Sequence, residues 1–449
     1  MPVQDTNEPT GGKNKLLRIL GVPFGLAVIV GGTVGVGILR SPGEIAGHIP
    51  STTLIMAAWV IGGLYSLLGA NYMAELATAV PRAGGPYVYA HRAIGDYGGF
   101  VVGWLDWLLN VMSLSYMCVV FGEYSARLIS QAVGTSPTPY AVGVLVAFTA
   151  LNWLGLRAGS RTQQITSLLK AIGLFGFVAV CFIYGGHSLG GAKEETSSVM
   201  PVGGNLIMAS VISFQLVLAT YSGWFSAVYF AEEDVDPARN MPRSLFGGIA
   251  VIIAIYVLVN AAILYVLPIG QLAGSEFAGA DAMALIFGER SGQIVTALAI
   301  ISIAGIVNAT LMFTPRTLLA LGRDGLFFQK SATVNRGGTP TIAMMLTVLP
   351  ALGFVIFGTF QTLVANAELL AVTNTILLIT SLFLLRRREP DLQRPFRAYA
   401  YPIAPAVMLI AAILLFFGYI VSNLTSSLVA ITAIIATYPI FRLVRRQAG

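Results

Sequence analysis

Long apolar runs separated by short polar segments set the pattern of this chain. Each run is continuous over about 20 residues, the length that a helix needs to cross a bilayer core of roughly 30 Å. A transmembrane β-barrel would instead show alternating apolar and polar positions. The pattern predicts about twelve membrane-spanning helices, at residues 19–46, 51–79, 97–130, 138–157, 161–185, 204–231, 244–268, 291–321, 341–359, 362–386, 402–422 and 425–442.

Composition narrows the class of protein further. Only 10% of the 449 residues are charged and 56% are hydrophobic, whereas soluble domains carry roughly 25% charged residues. No water-soluble fold of this length could bury so much apolar surface. This excludes a soluble enzyme, a nucleic-acid-binding protein and a disordered chain. The expected fold is an all-α polytopic membrane protein.

The basic residues predict the orientation of these spans. If the N-terminus is cytoplasmic, 21 of the 26 Lys and Arg residues fall in inner segments and 3 in outer segments. Because cytoplasmic loops are enriched in Lys and Arg, we expect both termini on the cytoplasmic side of the cell's inner (cytoplasmic) membrane. The first apolar run is followed by no Ala-x-Ala-like cleavage site, so the first helix is expected to be retained.

Two spans carry segments that disfavour a regular helix. The first contains four glycines within Gly31–Gly37, which predicts either an unwound break or a close-packed glycine face. The sixth carries Thr220–Trp224, a polar and aromatic stretch that predicts a second break or a polar packing patch. Paired interruptions at corresponding positions of two five-helix halves are typical of inverted-repeat transporters with a site at the membrane midplane.

This pattern predicts the organisation of the whole chain. The predicted parts are a cytoplasmic tail 1–18, a first repeat 19–185, a second repeat 204–386, two additional helices 402–442 and a tail 443–449.

The chemistry of a broken helix indicates the kind of ligand. The half-helix after Gly37 would present free N–H groups and the positive end of its dipole, which suit a carboxylate. The half-helix that ends near Val34 would present free carbonyl groups, which suit an ammonium. A small molecule that carries both groups on neighbouring atoms is an amino acid.

Six motifs in order resemble the amino acid–polyamine–organocation (APC) superfamily of transporters over nearly the whole chain. They are GGTVGVGIL at 31–39, the Glu75-Leu76 and Pro81–Tyr87 segment, Tyr221–Trp224, the acidic stretch Ala231–Arg243, ALGRDGL at 320–326 and Pro390–Arg397. The resemblance implies a LeuT-like fold, a five-plus-five inverted repeat plus two extra helices, and amino acid transport. The motifs are specific for the family and not for the substrate.

The resemblance also implies the residues of the substrate site. They are Thr33, Val34, Gly35, Val36, Gly37, Tyr221, Ser222, Gly223 and Trp224. N–H groups at 35–37 would take the carboxylate, carbonyls of Thr33, Val34 and Tyr221 the amine, and the rings of Tyr221 and Trp224 would flank the side chain. Ser222 replaces an acid found in many relatives, which favours neutral over cationic amino acids.

Lys170 lies within the fifth predicted span, where an ammonium group is costly and therefore a functional candidate. In the family, a lysine here occupies the place of a sodium ion in sodium-coupled cousins. The resemblance thus implies that Lys170 couples helices one, five and eight, with sodium independence and possible proton coupling. The alternative is that its side chain extends to the cytoplasmic surface.

Three further polar residues are gate or structural candidates. Asp106 is expected to pair with an arginine near the cytoplasmic side or to face a water-filled vestibule. The acidic loop 232–236, which includes the gate candidate Glu233, is expected to hold Arg82 or Arg323 when the inner gate is closed. Asn308 lines the site opposite Lys170 or makes hydrogen bonds between helices.

For other charged residues in or near the predicted spans, the sequence predicts ion-pair partners only. Glu123 and Arg127 are spaced for an i,i+4 pair, and Glu75 is expected to contact arginines of the loops. Glu368 cannot be assigned from the sequence.

The function that follows is a secondary transporter of amino acids, with alternating access, sodium independence and proton coupling. An amino acid exchanger (antiporter), a carrier of polyamines or other organic amines, and a non-transporting sensor remain alternatives. No motif of a membrane-embedded enzyme, cofactor or metal site is present. Residues 131–139 lack the cysteine that would link a heavy chain, Cys118 and Cys181 lie within apolar runs, and the oligomeric state stays open.

Overall fold

A computed structural model describes residues 16–129, 136–186, 203–358, 360–422 and 424–448, and within these ranges the chain is almost entirely helical. The helices are α1 Val22–Thr33, α2 Gly37–His48, α3 Thr52–Ala79, α4 Pro86–Ile94, α5 Asp96–Ile129, α6 Thr138–Trp153, α7 Leu156–Tyr184, α8 Gly204–Tyr221, α9 Pro237–Val266, α10 Ile269–Leu272, α11 Ala278–Phe287, α12 Glu289–Arg323, α13 Thr341–Phe357, α14 Phe360–Arg388, α15 Ile403–Ser422 and α16 Leu424–Ala448. Short 3-10 turns lie at Ser226–Phe230 and Gln329–Ala332.

Each predicted apolar run corresponds to a helix or to a broken helix in the described part of the chain. Nine helices there are long and apolar enough to cross a membrane, and α1 with α2, bent by 41°, forms a tenth such span. The predicted fourth and ninth runs are the shorter apolar helices α6 and α13, with 16 and 17 residues. Helices α4, α10 and α11 connect spans.

Two predicted boundaries were wrong for local reasons. The fifth span begins at Leu156 and not at 161, because Gly155 with φ +130° turns the chain directly after α6. A Cβ at Gly155 would lie 2.8 Å from the backbone of Gly337. The seventh span begins at Pro237 and not at 244, because a proline fits the first helical position.

The helices pack into two groups that leave a cavity between them. Helix α9 packs on both α1 and α3, and α5 packs on α12, α13 and α14. Helix α7 contacts both groups through α1 and α12, while α15 and α16 pack against α14. The end of the molecule where α1 begins, which also carries α4 and the end of α12, is called the N-terminal face below.

The predicted tail 1–18 lies mostly outside the described residues, as do position 449 and most of the loop 131–139. The segment before α1 is tied to the chain after the second break at the N-terminal face. Ile19 and Leu20 donate their N–H groups to the carbonyl of Glu233 at 3.0 and 2.9 Å.

Candidate functional site

The first predicted break is confirmed at Val34–Val36. Helix α1 ends at Thr33, Val34 is extended, and α2 starts at Gly37. The glycine-face interpretation also holds in part, because Gly31 and Gly32 remain helical. A Cβ on Gly31 would collide with the side chains of α7 at Gln163 and Ser167.

The second predicted break is also confirmed. Helix α8 ends at Tyr221, and the chain continues through Gly223 at φ +103° into the 3-10 turn. This left-handed conformation is strained for any residue with a Cβ. A Cβ on Gly223 would also lie 2.7 Å from the carbonyl oxygen of Gly32. Gly223 therefore lets the two interrupted helices cross at close range.

A cavity of about 660 Å³ lies where the two breaks meet. Most of the predicted substrate residues line it, namely Thr33, Gly35, Val36, Gly37, Tyr221, Ser222, Gly223 and Trp224. Val34 does not, because it is fully buried. The cavity reaches Arg40 and the exposed Glu44 on α2, away from the N-terminal face.

The breaks leave hydrogen-bonding groups without partners in the described part of the chain. The N–H groups of Gly35, Val36 and Gly37 donate no hydrogen bond there, so the positive end of α2 is available to a carboxylate. Backbone carbonyl groups form the opposite, negative side of the site. The hydroxyl of Tyr256 lies 3.1 Å from the oxygen of Thr33 and 2.8 Å from that of Thr220, and joins both broken helices.

The ring of Tyr221 packs against two other aromatic rings. It lies against Trp59 and Tyr256 with centroid distances of 6.1 and 4.8 Å, and its hydroxyl donates to the carbonyl of Trp59 at 3.0 Å. The indole of Trp224 packs closely over Gly69 on α3.

Lys170 is fully buried, and its Nζ donates to the carbonyl oxygen of Gly31 at 2.9 Å. A Cβ on Gly305 of α12 would lie 3.5 Å from the same nitrogen. The ammonium group therefore joins α7 to the end of α1 beside α12, as predicted for helices one, five and eight. It does not extend to the surface, so that alternative was wrong.

Asp106 lines the cavity and is held by hydroxyl groups. Its carboxylate accepts from Tyr229 at 2.7 Å and from Thr317 at 3.1 Å. No ion pair of Asp106 is formed within the described residues, so the predicted arginine pairing was wrong. The prediction that Asp106 faces a vestibule agrees with its place on the cavity wall.

Asn308 does not line the cavity. Its amide donates to the carbonyl of Gly159 at 3.1 Å and to Gln163 at 2.8 Å, and it accepts from Asn152 at 3.0 Å. This network joins α6, α7 and α12, so the alternative of hydrogen bonds between helices is correct. Thr310, two residues later, lines the cavity instead.

The acidic loop 232–236 holds Arg323 as expected, but through Glu232 and not through Glu233. Glu233 is fully buried and forms two hydrogen bonds with Arg316 of α12, at 2.6 and 3.0 Å. Arg323 pairs with the neighbouring Glu232 at 2.8 Å, and Arg82 pairs with Asp324. The turn after the 3-10 segment directs one acid inward and its neighbour outward, which the sequence spacing cannot reveal.

Two other predicted ion pairs had opposite outcomes. Glu75 is buried and contacts Arg386 at 2.5 Å and Arg394 at 3.2 Å, as expected. The predicted pair of Glu123 and Arg127 was wrong, since Arg127 lies 3.9 Å from Glu276, and both of those side chains are exposed.

Sequence reasoning missed Tyr256 and Arg316 and left Glu368 unassigned. Tyr256 and Arg316 sit in long apolar or mixed helices whose spacing gives no sign of what they face. Glu368 on α14 lines the cavity. An acid in an apolar run was the only signal available for it.

Comparison with known proteins supports a common architecture over nearly the full length. The profile of the family described as Amino acid permease matches residues 23–439. The chain is 24% identical over 433 residues to the serine/threonine exchanger SteT of Bacillus subtilis (strain 168), covering 95% of this chain and 97% of that protein.

Two further relatives have similar coverage. The human b(0,+)-type amino acid transporter 1 is 27% identical over 422 residues, covering 91% of this chain and 84% of that protein. The branched-chain amino acid permease BcaP of Bacillus subtilis (strain 168) is 25% identical over 448 residues, covering 92% and 90%.

Proposed function

The chain belongs to the amino acid permease family of the APC superfamily, and from this premise we propose that it carries neutral amino acids by proton-coupled, sodium-independent alternating access. Family membership accounts for the coarser statement, an amino acid transporter with many membrane spans. The substrate class, the coupling and the binding residues are the proposal. Both termini are assigned to the cytoplasm from the distribution of basic residues.

The observation that carries the proposal is the meeting of two interrupted helices at one cavity. The unpartnered N–H groups of Gly35–Gly37 lie at the positive end of α2 and would bind the carboxylate. The carbonyl end of α1 at Thr33 would bind the ammonium group. Glycine at positions 35 and 37 lets the substrate approach the backbone itself.

Sodium independence is supported by the position of Lys170. Its Nζ already provides a positive charge at the carbonyl of Gly31, at the end of α1. A second cation bound at the same oxygen would be repelled by the ammonium group. A neutral substrate is supported by Ser222, because no carboxylate stands at this position of the second break.

Exchange of internal for external amino acid is the second candidate. It is favoured by the name of one relative, which is a serine/threonine exchanger. Exchange needs the same substrate site and the same two access states as proton-coupled uptake. The two mechanisms differ in whether the carrier can change its access state without substrate.

Uptake by purified protein in proteoliposomes tests both candidates. Labelled neutral amino acids are added with sodium or with choline, with and without an outside-acid pH gradient, and with or without internal amino acid. Gradient-driven accumulation in choline is expected. Uptake that requires sodium contradicts the proposal, and uptake that requires only internal substrate selects exchange.

Matched glycine variants test the position of the site. Gly35→Val places a side chain beside the free N–H groups, where even a Cβ would lie 2.5 Å from Ile306, and is expected to abolish uptake. Gly143→Val in α6, where a Cβ meets nothing within 4 Å, is the control. Normal uptake by Gly35→Val would refute the proposed carboxylate site at residues 35–37.

A further inference from the structure

One acidic side chain on the cavity wall has no role in the site described above. Glu368 lies on α14, about 12 Å from the start of the helix at 1.5 Å per residue. It is partly exposed, and it lines the same cavity as the two helix breaks. Its carboxylate takes part in no ion pair or hydrogen bond within the described ranges.

Among the described residues, the surroundings of Glu368 contain aromatic hydroxyl groups. Tyr116 of α5 and Tyr419 of α15 are close enough to interact electrostatically with it, and Tyr65 of α3 interacts with Tyr419. The other charged groups that line the cavity are Arg40, Glu44 and Asp106. Arg40 and Glu44 lie on α2.

The comparison with Asp106 shows what is unusual. Both carboxyl groups line the cavity, but Asp106 accepts hydrogen bonds from Tyr229 and Thr317, which stabilise its charge. Glu368 receives no such donor in the described part of the chain. An ionised carboxylate there depends on water in the cavity for its solvation, and becomes costly once that water is expelled.

A second polar group lines the same cavity, beside the helix that carries Tyr419. Gln215 of α8 is 8% exposed, and its Nε2 has no hydrogen-bond partner among the described residues. A Cβ on Gly418, next to Tyr419, would lie 3.3 Å from that nitrogen. Buried amide donors normally have partners, so this part of the cavity is built for a polar occupant.

We propose that Glu368 is the carboxyl group that binds the transported proton. The inference rests on the proposed function, since it specifies the residue behind proton coupling. While the cavity is open, water reaches Glu368 and the carboxylate can exchange a proton. Closure of the cavity removes this water. The cavity therefore closes readily around the substrate only when the carboxyl group is protonated and neutral.

Proton binding at Glu368 makes the cycle electrogenic. A neutral amino acid that moves with one proton carries one positive charge across the membrane. With the membrane potential held at zero, one proton per substrate allows at most about tenfold accumulation for each pH unit of the gradient, because one pH unit is a tenfold ratio of proton concentrations. A single carboxylate with tyrosine neighbours also lacks the several oxygen ligands of a metal-ion site.

The test uses Glu368→Gln, which has nearly the size of the protonated side chain and cannot ionise. In proteoliposomes without a gradient, exchange of labelled for internal neutral amino acid should continue. With an outside-acid gradient, wild type should accumulate substrate severalfold and Glu368→Gln about onefold. Glu368→Asp keeps a titratable group and should retain gradient-driven accumulation. Glu276→Gln, at an exposed acid, is the matched control and should behave as wild type.

The outcomes separate this inference from the proposed function. If wild type itself shows no gradient-driven accumulation, proton coupling fails and the role of Glu368 fails with it. If wild type and Glu368→Gln accumulate equally, coupling stands and Glu368 is not the proton site. If only competition by cationic amino acids is lost in Glu368→Gln, the carboxylate recognises substrate charge and the inference is overturned.

Labelling of the unaltered protein keeps the test independent of variant folding. A hydrophobic carbodiimide reacts with protonated carboxyl groups, and the modified peptide is identified by mass spectrometry. Labelling at Glu368 should decrease as the pH is raised. No labelling of Glu368 at any pH would overturn the inference.

Discussion

The two ends of the central cavity differ in how their charges are satisfied. At the N-terminal face, Glu233 is paired with Arg316, Glu232 with Arg323 and Asp324 with Arg82. Towards the opposite end, the cavity wall carries the amide nitrogen of Gln215 and the carboxylate of Glu368, and neither has a hydrogen-bond partner among the described residues. One end is therefore closed by mutual ion pairs, while the other leaves polar groups available for a ligand, an arrangement that the proposed alternating access requires.

The largest effect is expected from breaking the buried pair at the closed end. Glu233→Gln would leave the Arg316 guanidinium buried without a counter-charge, since Arg316 is 4% exposed on its side chain. Loss of one partner of a buried ion pair costs about 3–5 kcal/mol. We expect a lower thermal unfolding midpoint in detergent and faster leak of preloaded substrate from proteoliposomes.

Glu232→Gln provides the matched control at the adjacent position. Its pair with Arg323 is partly exposed, at 32% and 25%, and such pairs contribute about 0.2–1 kcal/mol. The contrast between the buried pair and the partly exposed pair is sharpened if only Glu233→Gln leaks. Equal leak in both variants would contradict it.

The second effect concerns the crossing of the broken helices between the two ends. Gly223→Ala would combine a left-handed backbone with a Cβ that lies 2.7 Å from the oxygen of Gly32. The backbone strain alone costs about 1–2 kcal/mol, and the clash should separate the breaks and abolish uptake.

Gly288→Ala separates strain from contact. Gly288 has φ +85°, yet a Cβ there meets nothing within 4 Å. Gly288→Ala should lower the thermal unfolding midpoint because of the backbone strain, and it should retain uptake. If both alanine variants transport normally, the close crossing is not required for function.

The smallest effect is a pH dependence at the closed end. His91 on α4 has Asp96 at 3.1 Å from Nε2 and Asp324 at 3.5 Å from Nδ1. The hydrogen bond to Asp324 raises the pKa of the imidazole against the opposing effect of burial, and Asp96 adds to the rise. Although burial opposes it, hydrogen bonds from His91, Arg82 and Tyr87 hold the pKa of Asp324 below its usual range.

The sign follows from the raised pKa of His91. The stabilisation is fully present below the unfolded-state pKa of about 6.5 and is lost as pH rises through the higher folded-state pKa. Thermal midpoints of wild type should decrease over this interval by an amount equivalent to less than about 1 kcal/mol. His91→Gln should remove the dependence and His48→Gln should keep it, whereas a dependence unchanged in His91→Gln would exclude this imidazole.

The apolar pattern was enough to predict the spans and both interruptions. Membrane helices need long apolar runs, and dense glycine or a polar Gly-Trp segment disfavours helix whatever the neighbours are. The same local logic placed Glu75 near loop arginines. It failed for the start of α7, because the turn at Gly155 depends on packing against Gly337.

Side-chain partners required the folded structure. Glu232 and Glu233 are adjacent in sequence and similar in chemistry. Yet Glu232 forms a partly exposed pair with Arg323, whereas Glu233 forms a buried pair with Arg316. Asn308 and Thr310 are two residues apart on α12, and only Thr310 faces the cavity. Residues two positions apart point to nearly opposite sides of a helix, and only the packing of that helix decides which side faces the cavity.

The sequence by itself determined that this is a polytopic helical membrane protein with two broken spans, because hydrophobicity and helix propensity are properties of short segments. The tertiary structure alone decided that Lys170 bonds to the end of α1, that Tyr256 joins the two breaks, and that Glu368 shares their cavity. These facts depend on contacts between residues far apart in the chain, and no local pattern encodes which helix faces which.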